Sequence, residues 1–97
     1  MSYTLILSAK ASEDVSETAA YYATIRKELG VRFLDALNVS LDTLAHNPQM
    51  FQKRVDKLRR ASVGKFPYSI IYYIQEPSEV IVTAVIHQHR PPESWTP

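Results

Sequence analysis

Two short clusters in the last third of the chain hold the side chains best suited to chemistry. They are Arg59-Arg60, with Lys65 close behind, and His87-Gln88-His89-Arg90. Arginine can grip a phosphate through two parallel N–H bonds. Histidine titrates near neutral pH and can serve as acid or base. Cleaving RNA without a metal needs parts of this kind. The 2′-hydroxyl must lose a proton, the leaving 5′-oxygen must gain one, and cations must hold the charge developing on phosphorus. Tyr68, Tyr72 and Trp95 are of the type that stacks an unpaired base, although an apolar strand setting favours the core for the tyrosines. His87 and His89 share one strand face at i and i+2, a spacing open to two metal ligands. No third His or carboxylate is an obvious partner, so neither a metal nor any other cofactor is expected. Glu13-Asp14 fits helix capping better than acid–base work.

The same runs give these groups a frame. Phe66-Pro67-Tyr68-Ser69-Ile70-Ile71-Tyr72-Tyr73 and Val80 to Ile86 are β-type runs that meet the clusters at their ends, so the cations sit on a sheet and not in a tail. The pattern predicts strands over about 55–62, 66–74 and 79–89, with turns at Gly64 and at Glu76-Pro77-Ser78-Glu79. Tyr68, Ile70, Tyr72 and Ile74 alternate to one face. Val80, Val82, Ala84 and Ile86 are expected on one face too, with Ile81, Thr83, Val85, His87 and His89 on the other. Tyr3 to Leu7 reads as a short first strand. A helix follows with Ser12 as N-cap, Glu13 and Asp14 in its first turn, and Gly30 as its stop. A second helix carries Leu34, Leu37, Leu41 and Leu44 on one seam and ends at Asn47-Pro48. Two helices joined with almost no linker imply an antiparallel helical hairpin. Trp95 is expected to pack back on the body. The resulting fold class is α+β in two layers: an N-terminal strand, a helical hairpin, then a three-stranded antiparallel meander.

At 97 residues the chain has room for one domain, taken as 1–97. It has no cysteine, which excludes disulfides, thiolate metal sites and a cysteine nucleophile. With Gly30 and Gly64 its two glycines, it has no glycine-rich phosphate loop. The N-terminus lacks the charge and apolar length of a signal peptide, and no run approaches the ~20 apolar residues of a membrane span. A cytoplasmic protein without membrane contact is the expectation. The net charge of +1 is unevenly spread: residues 1–52 hold four cations against six carboxylates, and residues 53–97 hold seven against four. Most of the excess lies between Lys53 and Lys65, a local band able to draw in an anion or an acidic partner.

The order of elements, together with particular wording, resembles the RelE/ParE superfamily of type II toxin–antitoxin toxins, the plasmid-stabilisation type. The resemblance runs over nearly the whole chain. Its marks are Tyr21-Tyr22 in the first helix, Gly30-Val31-Arg32-Phe33-Leu34, Leu44 to Pro48, Leu58-Arg59-Arg60, Phe66 to Tyr73, and His87 through Arg90 to Trp95. It implies a small toxin, held inactive in a hetero-oligomer with a cognate antitoxin, that arrests growth once released. One branch consists of ribosome-dependent, metal-free messenger-RNA endonucleases; another, similar to ParE, poisons DNA gyrase by binding. A non-toxic relative that only binds an antitoxin is a further possibility. In the ribonuclease branch, Arg60 and His89 correspond by position to a phosphate ligand and a general acid. The tyrosine that follows such a histidine is replaced here by Arg90. The Phe66-Pro67-Tyr68 wording looks like the ParE side, in which Arg59, Lys65, His87, Arg90 and Trp95 are the expected target- or phosphate-binding residues.

Overall fold

A computed structural model describes residues 2–95. The elements are β1 (Thr4–Leu7), α1 (Ala9–Ile25), α2 (Lys27–His46), a 3-10 turn (Pro48–Met50), β2 (Lys53–Val55), β3 (Leu58–Val63), β4 (Phe66–Gln75), β5 (Glu79–His87) and a short 3-10 helix (Pro92–Trp95). The strands form one sheet in the order β1-β5-β4-β3-β2. β1 runs parallel to β5, and every other pairing is antiparallel. The helical hairpin covers one face.

α1 starts four residues earlier than Ser12 as N-cap predicts. Ser8 is the cap, and its Oγ accepts the Ala11 N–H at 3.0 Å. Ser8 also ends β1: its N–H donates to the Val82 carbonyl at 2.9 Å and its hydroxyl to the Thr83 carbonyl at 3.1 Å. Those bonds fix where the chain turns, and they leave the first turn of α1 without an acid.

Gly30 does not stop α1. The helix breaks at Arg26, which is fully extended at φ −155° and ψ 138°, and α2 runs straight through Gly30. A Cβ at position 30 would stand 3.0 Å from the Ala19 carbonyl oxygen and 3.1 Å from Ala23 Cβ. The glycine therefore lets two helices cross closely, a packing role that a sequence reads as a cap. α2 buries Gly30, Phe33, Leu37 and Leu44, while Leu34 of the expected seam is 39% exposed.

The strand expected over 55–62 is two strands. Asp56 takes a left-handed φ of 51°, which a short polar residue tolerates, and the two-residue turn Asp56-Lys57 folds β2 back onto β3. The three-stranded meander thus becomes four antiparallel strands, with β1 added in parallel at the β5 edge.

β4 alternates as its sequence predicts. Tyr68, Ile70 and Tyr72 join the core under the helices, and Ile71 and Tyr73 join a second cluster on the far face. β5 departs from strict alternation. Ile71 pairs with Ala84 but Tyr72 pairs with Val82, so Thr83 is the extra residue of a β-bulge. Val80, Val82 and Val85 face the helices, whereas Ala84 and Ile86 face away. Helix α1 holds the bulge in place. Ser8 bonds to its carbonyls, and the Asp14 carboxylate accepts the Val85 N–H at 2.9 Å while pairing with Lys10 at 2.9 Å. Asp14 is thus a clamp on the sheet and not a helix-dipole residue. On the far face Trp95 packs against Leu58, Ile71, Ala84 and Ile86. Among the described residues no helix is long and apolar enough to cross a membrane.

Candidate functional site

The bulge decides which face the β5 terminus serves. His87, the last residue of β5, lies opposite Tyr68 on the helix face, and its ring meets that of Tyr68 edge-on at 5.5 Å. The backbone beyond is pinned. Gln88 N–H donates to the Pro67 carbonyl at 2.9 Å, and Arg90 N–H to the His87 carbonyl at 3.0 Å. His89 lies past the strand end, with its ring 5.0 Å from that of His87. Its backbone N–H donates to His87 Nδ1 at 3.2 Å. That bond makes Nδ1 an acceptor, so neutral His87 carries its proton on Nε2.

Between α1 and this end of β5 is an open cleft of about 270 Å³. Asp14, Glu17, Thr18 and Tyr21 line one wall, and Tyr68, His87 and Arg90 the other. The phenols of Tyr21, Tyr22 and Tyr68 lie near one another. Burial first, then the neighbouring Tyr68 and Tyr21, raises the pKa of Tyr22. The polar stripe Asp14, Thr18 and Tyr21 follows helical spacing along α1. That spacing is the sequence signal for this wall, fainter than the apolar stripe on the same helix.

Arg59 and Arg60 are neighbours on β3 and so point to opposite faces. Arg59 lies opposite Tyr72 on the helix face. One of its terminal nitrogens donates to the Phe51 carbonyl, and its Nε is buried with no hydrogen-bond partner. Tyr72 donates to the Pro48 carbonyl at 2.7 Å, and burial pushes its pKa up to about 12 against the lowering pull of Arg59. Arg59 and Tyr72 together tie down the segment from Pro48 to Phe51. Arg60 lies opposite Ile71, which pairs with Ala84, and so faces away from the helices.

The structure therefore brings His87, His89 and Arg90 together but does not bring Arg60 to them. From the row of Arg60 to that of His87 is about 10 Å along the strands and about 10 Å across them, with the sheet between the two side chains. Lys65 is exposed in the β3–β4 turn, at the same end of the sheet as His87. Trp95, expected among the target contacts, is only 6% exposed. Its edge lines a far-face groove of about 450 Å³ with Leu58, Thr83 and Tyr73, and Lys57 Nζ sits 4.0 Å over the Tyr73 ring. Among the described residues no three His, Asp or Glu side chains cluster closely enough to hold a metal.

A family model described as the ParE toxin of type II toxin-antitoxin system, parDE, matches residues 5–92. No curated protein is matched significantly. Among solved structures the chain is similar to one described as the chromosomal ParDE TA system from P. aeruginosa. The TM-score is 0.77 at 13% identity, covering 88% of this chain and 95% of that one. At that identity the likeness is one of fold.

Proposed function

The chain belongs to the ParE toxin family of type II toxin–antitoxin systems, and from that premise we propose that it arrests growth by binding DNA gyrase, and that a cognate antitoxin holds it inactive. One observation carries the choice of gripping over cutting. A metal-free ribonuclease needs its acid and its phosphate ligand on the same phosphate, yet Arg60 and the His87–His89 pair lie on opposite faces of the sheet. The residue after His89 is Arg90, a cation that can hold an anion but cannot serve as an acid at neutral pH.

The test is direct. Purified protein is added to gyrase and supercoiled DNA, and to ribosomes carrying messenger RNA. The expected result is loss of supercoiling activity or trapped DNA breaks, reversed by the antitoxin, with the messenger intact. Ribosome-dependent cleavage of the messenger with gyrase unaffected overturns the proposal.

A further inference from the structure

The cleft between α1 and the end of β5 has an unbalanced supply of hydrogen-bonding groups. Lys10 and Asp14 neutralise each other, and Asp14 also takes the Val85 N–H. What remains free is the Arg90 guanidinium, the Nε2–H of His87, and the hydroxyls of Thr18, Tyr21 and Tyr68. None of these has a hydrogen-bond partner or ion pair among the described residues. Against five donor groups stands one uncommitted carboxylate, Glu17, on the α1 wall. Thr18 lines the cleft and is largely buried, and Tyr21, on the same wall, is 58% exposed. The donors sit on a rigid frame. The His87 tautomer is set by the His89 N–H, and the Arg90 backbone is pinned to the His87 carbonyl.

We propose that this cleft binds a phosphoryl group carried by a nucleotide or a nucleic-acid strand. A phosphate has more acceptor oxygens than a carboxylate and matches a ring of several donors better. Arginine binds it bidentately. The exposed Tyr21, which lines the same cleft as Arg90, offers an attached base a ring to stack on. A volume of about 270 Å³ exceeds what a bare anion fills and leaves room for the group that carries it. Glu17 biases the anion toward Arg90 and His87, leaving its remaining oxygens to the hydroxyls. The site lies on the helix face, away from Arg60 and the Trp95 groove, and it goes beyond the gyrase reading: it stands or falls without reference to growth arrest.

The experiment is a titration of the intact protein with inorganic phosphate, then adenosine monophosphate, then a short single-stranded oligonucleotide, at constant ionic strength. Binding is followed by NMR at the His87 ring and the Arg90 side chain. Expected are localised shifts at these two residues with all three probes. Arg90→Gln and His87→Gln each weaken binding by about tenfold, whereas Arg54→Gln on the distant β2 edge leaves it unchanged. Circular dichroism melts of each variant confirm that the fold is kept. An oligonucleotide that binds more tightly than the mononucleotide identifies a strand as the source of the phosphate; equal affinity identifies a free nucleotide. Shifts spread evenly over all lysines and arginines, or an equal loss in Arg54→Gln, overturn the proposal. No shift with any probe overturns it as well, and the gyrase assay is unaffected by that outcome.

Discussion

Tyr72 places a phenol hydroxyl inside the core, where it donates to the Pro48 carbonyl. Tyr72→Phe removes the donor and leaves a buried acceptor, so a loss of about 1–3 kcal/mol is expected in denaturant unfolding. Its titration gives a second, signed prediction. Burial pushes the folded-state pKa up to about 12 from the ordinary 10.0. The folded state therefore holds the proton more tightly than the unfolded state, and stability is full below pH 10 and falls as pH rises from 10 to 12. Tyr72→Phe flattens that part of the pH–stability curve. His89 is exposed beyond the strand end. Under the binding reading His89→Ala still arrests growth when induced, and colony counts that recover fully with this variant contradict it.

At the scale of elements, the helix crossing and the bulge are the sensitive places. In an isolated helix Gly→Ala stabilises by about 1 kcal/mol. Here Gly30→Ala drives a methyl to 3.0 Å from a backbone carbonyl, and we expect the sign to reverse, with a destabilisation of about 1–3 kcal/mol from overpacking. The bulge gives a paired test. Asp14→Ala strands the Val85 N–H and lowers stability by about 1–3 kcal/mol, with faster hydrogen exchange at the Val85 amide. Asp14→Asn keeps a carbonyl oxygen for that amide and restores most of the protection. Equal exchange rates in the two variants contradict the clamp. A period-two pattern cannot announce a bulge, because Val80-Ile81-Val82-Thr83-Ala84-Val85-Ile86 is apolar on both faces. Nothing in that run marks Thr83 as the residue to expel.

For the molecule as a whole, the two faces of the sheet depend on different covers. The helical hairpin covers one, and the Pro92–Trp95 turn covers part of the other. Trp95→Ala is expected to cost about 3–5 kcal/mol, a large share of the stability of a domain this size. Loss of toxicity in that variant therefore reports on folding unless a melting curve accompanies it. The basic band between Lys53 and Lys65 is likewise divided by the sheet: Arg59 anchors the Pro48–Phe51 segment, Arg60 faces away, and Lys65 lies in a turn. These three side chains do not form one patch. The helical hairpin, the end of α2 at Asn47-Pro48, the β4 alternation and the closing Trp were all legible, since each rests on a local signal of period, proline or bulk.

The residue order by itself determined the α+β class, the family resemblance and the side chains worth weighing, because periodicity and residue chemistry are local properties of a chain. Tertiary structure decided which of those side chains meet. The parallel pairing of β1 with β5, the Ser8 and Asp14 bonds to the β5 bulge, and the Gly30 crossing join positions far apart in sequence. The bulge then turned His87 toward Tyr68 and α1, on the face opposite Arg60, since one extra residue in a strand reverses every side chain beyond it.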